Sequence, residues 1–385
     1  MIELALIGTP NSGKSTFFKA CTLKDVKIAD YPFTTLDPNE GLAHVSAKCP
    51  CKELNLQCKN CRNGTRFVPV RLWDVAGLVE GAHLGRGHGN AFLNDLMQAA
   101  AFIHVIDISG KTDLEGNPAD NFDPLKAVAM LDDELDFWLL GLIKKDWNAA
   151  KSQRNTVELF TKRLSGLGVT REHIKIAMER LHLSDKIENW SDRNGFDFVS
   201  LLRSESKPSV IAANKFDLGG RDNLEKLEQR FSEKKIFPTS AEFELALREA
   251  AKHGLIEYLP GSSFFAVRGD LNDRQKAALE KIKAFLEKNS STNVQHVLNE
   301  TVFNVLGMIA VYPVENEARF SDKKGGVLPD CLLMKKGSTA LDMAFQIHQD
   351  IGKKFISAVN ARTKRTVSAD YKLQHGDIIS IKSGH

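Results

Sequence analysis

Residues 8–16 read GTPNSGKST and follow directly on the apolar run ELALI at residues 3–7. Residues 8–15 fit G-x-x-x-x-G-K-[ST], a phosphate-binding loop set between a buried strand and a helix. Glycines let the backbone curl until successive N–H groups converge on phosphate oxygens. On this reading Lys14 neutralises the β- and γ-phosphates and Ser15 ligates Mg2+, while Asn11, Ser12, Gly13 and Thr16 complete the nucleotide loop. One loop of this kind implies an α/β nucleotide-binding domain, so the rest of the chain is read for its companions.

The next apolar strand, VRLWDVAGL at residues 70–78, carries a D-x-x-G. Asp74 is expected to hold a Mg2+-bound water, and the Gly77 N–H to sense the γ-phosphate. Between the two motifs, DYPFTTLDPNEG at residues 30–41 offers Thr34 and Thr35, with Thr35 the favoured Mg2+ ligand of a switch loop. Residues 210–218, VIAANKFDL, place Asn214, Lys215 and Asp217 after a buried strand. The Asp217 carboxylate can accept from both N1–H and the 2-amino group of guanine. Adenine has no N1–H and leaves that carboxylate unpaired, which predicts selectivity on the order of 10⁴. Asn214 is expected to tie loops together, Lys215 to lay its stem along the purine, and Ser240 or Ala241 in PTSAEF to offer a backbone N–H to guanine O6. A glutamine that orients water often follows D-x-x-G, but here the residue is Leu78, so slow intrinsic turnover is expected. The nearby GAHLGRGHGN offers His83, Arg86 and His88 as an alternative means of positioning water, with a solvated switch loop the favoured reading of each.

Composition is ordinary for a soluble globular protein. The chain has 385 residues, 42% of them hydrophobic and 26% charged. Its apolar runs are too short to span a bilayer, and the N-terminus lacks a basic segment with a cleavage site. No membrane association and a cytoplasmic location are therefore expected. Net charge is only +3, yet residues 306–385 hold 12 Lys or Arg against 8 Asp or Glu, and residues 44–66 hold 5 against 1. Such local basic surfaces suit a nucleic-acid or ribosomal partner, although ordinary solvated surface gives the same counts.

Strand patterns at 2–7, 68–74, 102–107 and 209–213 alternate with helical ones, which implies a parallel-rich sheet. Apolar residues at helical spacing from Val128 to Leu142 open a helical insertion. The division expected is a first G-domain part at 1–122, the insertion at 123–205, a second G-domain part at 206–303 and a small domain at 304–385. Within the last, MIAVYPV and DIISIKS read as strands and residues 338–358, STALDMAFQIHQDIGKKFISA, as a helix.

With these motifs in hand, the chain resembles the Obg-related P-loop GTPases, and among them the YchF subfamily. The resemblance rests on GTPNSGKST, YPFTTLDPNEG, DVAGLVEGAHLGRGHGNAFL, the helical insertion and the C-terminal GSTALDMAFQIHQDIG and LQHGDIISI. It implies a G domain with an inserted helical domain and a C-terminal β-grasp (TGS) domain associated with ribosome or RNA contact. It also implies that Asn11 helps hold a K+ ion near the phosphates. Many YchF proteins have N-x-x-E and prefer ATP; Asn214-Lys215-Phe216-Asp217 keeps the guanine pattern, so a preference for GTP over ATP is expected. The resulting expectation is a monomeric GTPase switch using Lys14, Thr35, Gly77 and Asn11 around the phosphate. A relaxed ATPase, a P-loop kinase and an RNA-binding protein with a merely structural nucleotide are the rival readings.

The segment CPCKELNLQCKNC adds four cysteines, Cys49, Cys51, Cys58 and Cys61, within 13 residues. That spacing suits a Zn2+ site of four thiolates, paired disulfides or free thiols, and the sequence does not choose among them.

Overall fold

The computed structural model describes residues 1–23, 39–86, 93, 96–145 and 156–384. Thr34, Thr35 and His88 lie outside these residues. The described residues divide into two compact units, one formed by residues 1–23, 39–43 and those within 71–297, the other by 44–70 and 298–384.

The first unit is built on a sheet whose strands run in the order β2-β3-β1-β4-β5-β6. These are β1 (Glu3–Ile7), β2 (Glu40–Lys48), β3 (Thr65–Asp74), β4 (Ala101–Asp107), β5 (Ser209–Asn214) and β6 (Lys235–Pro238). β3, β1, β4, β5 and β6 are mutually parallel, with Leu4 opposite both Leu72 and Ala101. Because β1 lies between β3 and β4, successive connections leave it on opposite sides. That makes its carboxyl end the switch point of the sheet, the place where open α/β sheets bind ligands. Helix α1 (Lys14–Thr22) starts there.

The expected helical stretch forms α2 (Pro124–Lys145), α3 (Thr156–Leu164), α4 (Arg171–Arg180) and α5 (Asp192–Ser206). Its apolar stripe is core: Leu131, Leu135, Trp138 and Leu139 of α2 pack in one cluster with Ile7 and Phe102 of the sheet and with Phe160 and Phe198. A buried guanidinium fastens it, since Arg203 Nε meets Asp136 Oδ1 at 2.5 Å and its Nη1 meets Asp132 Oδ1 at 3.2 Å. The insertion therefore shares its interior with the sheet instead of forming a core of its own. Beyond β5 come α6 (Arg221–Arg230), α7 (Ala241–Lys252), the short ribbon β7 (Ile256–Tyr258) with β8 (Phe265–Val267), α8 (Asp273–Asn289) and α9 (Val294–Asn299).

The second unit holds a mixed five-stranded sheet of order β10-β9-β13-β11-β12. Its strands are β9 (Met308–Val314), β10 (Leu332–Lys335), β11 (Phe355–Asn360), β12 (Arg365–Val367) and β13 (Ile378–Ser383). β9 and β13 are parallel and the other pairs antiparallel, and α10 (Ala340–Ile347) buries Ala340 and Met343 against Val311, Ala358 and Ile379. This is the expected β-grasp arrangement. The single helix read over 338–358 is corrected: His348 is extended and caps a second short helix, α11 (Gln349–Lys353), and Phe355–Asn360 is a strand. Pairing with β13, such as Val359 with Ser380, overrides the local helical pattern. The outer part of the β2–β3 hairpin also belongs to this unit, which the linear division of the chain did not anticipate.

Candidate nucleotide site

The loop after β1 is closed around its own lysine. Lys14 Nζ donates to the carbonyls of Gly8 at 3.0 Å and Thr9 at 2.7 Å. Burial lowers its pKa to about 8, opposed by the nearby Asp74 carboxylate. Gly13 sits at φ 95° immediately before α1 and caps that helix with no side chain. The first-turn N–H groups are consequently left for an external acceptor, which is how a helix N-terminus receives phosphate. The Ser12 hydroxyl, fully buried in the same loop, has no hydrogen-bond partner among the described residues. An orphaned donor, uncapped amides and a buried ammonium together fit an anion.

Two neighbouring segments press on this loop. Gly77 is required by contact, because a Cβ there would lie 2.8 Å from the backbone N of Pro10. Leu78 N–H donates to Gly8 O at 3.1 Å while its side chain enters the core, so Leu78 positions no water. On the other flank, Asn11 Nδ2 donates to Gly116 O at 2.8 Å. Asn11 Oδ1 has no partner among the described residues. The hard-oxygen set of Ser15, exposed in the first turn of α1, and Asp74, beside Lys14, fits Mg2+ chemistry.

Asn214 joins the base-recognition segment to the phosphate loop. Its Nδ2 donates to Ser12 O at 3.1 Å, and its Oδ1 accepts from Ala241 N–H at 3.0 Å. Lys215, at φ 63°, places Nζ 2.9 Å from Asp107 Oδ2. Asp107 also accepts from Ser109 and Thr112 hydroxyls. Sequence reading passed over Asp107 as a strand end, although an acid closing an apolar strand before Ser109 and Thr112 was the available signal. Asp217 follows, half-buried in a short turn of residues 216–218.

The expectation for Ser240 and Ala241 needs correction. Ser240 N–H is taken by Thr292 O at 3.1 Å and Ala241 N–H by Asn214. Ser240 instead caps α7, its Oγ accepting from Phe243 N–H at 3.2 Å. Among the described residues, the amide in this turn without a partner is that of Glu242. Beneath it, buried Glu244 accepts from Tyr258, Thr292 and Arg248 at 2.6–2.7 Å and fixes the turn.

His83 is likewise no solvated loop residue. Its Nδ1 lies 2.7 Å from Glu134 Oε2, its ring 5.0 Å from that of Phe137, and Glu134 also accepts from the Gly81 and His83 amides at 2.6 and 2.9 Å. A single buried carboxylate of α2 thus holds the segment that follows D-x-x-G. The pairing lies 51 positions apart in sequence and carries no local signature.

Known proteins match the chain along its whole length. The family described as "50S ribosome-binding GTPase" matches residues 3–136. "Obg-like GTPase YGR210-like, G4 motif-containing domain" matches 212–316, and "TGS domain" 320–383. A GTP-binding protein of Methanocaldococcus jannaschii is 45% identical over 100% of this chain and 99% of its own. Another, from Schizosaccharomyces pombe, is 35% identical over 88% of each. Among solved structures, a GTP-binding protein from Pyrococcus horikoshii superposes with a TM-score of 0.79 at 38% identity, covering 100% of both chains. The YchF GTPase of S. pombe shares the fold, with a TM-score of 0.60 at 22% identity over 99% of this chain and 97% of that one.

Proposed function

This chain belongs to the Obg-like family of GTP-binding proteins, and from that premise we propose that it binds GTP with Mg2+, hydrolyses it to GDP and acts as a switch on the ribosome or another RNA particle. The observation that carries the reading is the pair of hydrogen bonds made by the Asn214 side chain, which ties the phosphate loop at Ser12 to the turn at Ala241. Phosphate and base recognition are thereby built as one object, as a guanine-nucleotide switch requires and a phosphate-only loop does not.

In this reading Lys14 leaves the Gly8 and Thr9 carbonyls for the β- and γ-phosphates, and the amides of residues 13–16 together with the Ser12 hydroxyl receive the remaining oxygens. Ser15 would ligate Mg2+ and Asp74 would hold it through a bound water, with Thr35 as the third protein contributor; when bound, the ion would supply charge neutralisation on the phosphates. Gly77 N–H reports the γ-phosphate. Asp217 accepts the two guanine donors, Lys215 lies along the ring while Asp107 steadies its ammonium, and the Glu242 amide is the donor free for O6. Asn11, its nitrogen committed to Gly116, would offer its oxygen to a K+ ion.

The ribosomal or RNA part of the proposal is supported by the matching ribosome-binding family, the TGS domain and the basic balance of residues 306–385. The test is a pair of measurements on the full chain with Mg2+. Titration with fluorescent GTP and ATP analogues is expected to show much tighter GTP binding, and phosphate release is expected to be slow but catalytic. Cosedimentation with ribosomes is expected to differ between GDP and a non-hydrolysable GTP analogue. Equal or tighter ATP affinity overturns the guanine assignment, and identical sedimentation in both nucleotide states overturns the switch.

A further inference from the structure

The four clustered cysteines lie at the tip of the β2–β3 hairpin, inside the second unit and outside the nucleotide site. Their sulfurs all fall within 4.8 Å of one another. None is in a disulfide. Four thiolates at about 2.3 Å from a zinc ion form a tetrahedron with edges of about 3.8 Å, so the cluster needs little movement to close on a metal. Cys51 and Cys61 sulfurs stand 3.4 Å apart. Two disulfides call for two separate close pairs, whereas here each sulfur has the other three as neighbours.

The surroundings suit thiolates as well. Asn60 N–H donates to Cys58 Sγ at 3.3 Å, an amide two residues on that supports negative sulfur in a C-x-x-C turn. The backbone holds the ends of the loop, with Cys49 N–H on Gly64 O and Leu56 N–H on Cys51 O, each at 2.8 Å. Beside them is Arg66, only 4% exposed. Its guanidinium donates to the carbonyls of Asn60 and Leu328, and no carboxylate pairs with it among the described residues. A buried cation without a counter-ion is costly. A zinc ion with four thiolates carries two net negative charges, and the guanidinium offsets one of them.

We propose that Cys49, Cys51, Cys58 and Cys61 bind one zinc ion as a closed structural site. Four protein ligands leave no open position for a substrate. Binding turns four thiols into four thiolates, with their protons released to solvent and no change of oxidation state. The metal fixes the surface on which the second unit is assembled: Asn60 and Arg66 both reach Leu328 O, and Glu53 of the same loop meets Arg362 Nη1 at 3.0 Å.

The full chain, purified without chelator and analysed by elemental mass spectrometry, is expected to carry about one zinc per molecule. Exchange into Co2+ is expected to give the intense sulfur-to-metal absorption and visible bands of a tetrahedral thiolate site. C58S and C61S are expected to lose the metal. Because those variants can fail to fold, the wild-type chain is also stripped with an organomercurial, which is expected to release the zinc in step with titration of its thiols. Zinc below about one-tenth per chain, an intact mass short of the hydrogens lost to two disulfides, or iron in place of zinc each overturns the proposal.

Discussion

A Cβ on Gly13 would lie 2.2 Å from the side-chain nitrogen of Asn214, at a backbone φ of 95°. The glycine of the phosphate loop and the asparagine of the base-recognition segment are therefore fitted to each other, 201 positions apart in the chain. Gly13→Ala is expected to cost about 2–4 kcal/mol through the clash and the left-handed backbone. Asn214→Ala opens the space but strands the Ala241 amide, costing about 1–3 kcal/mol. Urea unfolding of the two single variants and the double variant is expected to show a double-variant loss smaller than the sum, since both act on one contact. Strict additivity would contradict the coupling.

Asp217→Asn offers guanine N1–H an amide in place of a carboxylate. GTP affinity is expected to fall by about 10³-fold or more, while xanthosine triphosphate, which has an acceptor at that edge, binds better than GTP. Competition between the two nucleotides on wild type and variant reads this directly. An unchanged ranking would remove Asp217 from base recognition.

Lys14 gives a pH signature. Its pKa in the free chain is lowered to about 8 by burial, below the 10.5 of an unfolded lysine. Between those values the unfolded chain binds more protons, so this group makes the nucleotide-free protein more stable as pH rises from about 8 to 10.5, and its penalty is fully present below 8. Phosphate favours the charged form, so binding takes up a proton above pH 8, and affinity is expected to weaken by up to about tenfold per pH unit. Calorimetry at pH 8.5–9 in buffers of different ionisation heat measures the uptake. Lys14→Ala is expected to abolish it.

Glu134 holds Gly81 and His83 through three hydrogen bonds. Glu134→Ala leaves two amides and an imidazole without their acceptor, and a loss of about 2–3 kcal/mol is expected. Limited proteolysis is expected to cut faster within residues 79–86. Wild-type resistance there, with wild-type stability, would show that the carboxylate does not hold the segment.

Asn11 is the test of the monovalent ion. GTP hydrolysis is expected to be faster in K+ than in Na+, a preorganised charge beside the phosphates being worth about 10²-fold where such groups are removed. Asn11→Ala is expected to erase the difference between the salts. Equal rates in both salts for the wild-type chain would eliminate the K+ site.

By itself the sequence determined what depends on neighbours along the chain. Residues 8–16 and the strand ends at Asp74 and Asn214 are local: spacing, glycine geometry and apolar runs suffice to place phosphate and guanine chemistry on loops at strand ends. Tertiary structure decided whatever needed a distant partner. It committed the Ser240 and Ala241 amides to Thr292 and Asn214, tied His83 to Glu134, placed Asp107 against Lys215 and turned Phe355–Asn360 from helix to strand by pairing with β13. It also gathered four cysteine sulfurs within 4.8 Å, a distance that their spacing in sequence left open. The physical reason is common to all of these. A hydrogen bond or ligand bond is decided within a few ångströms, and only the fold sets which groups, far apart in the chain, come that close.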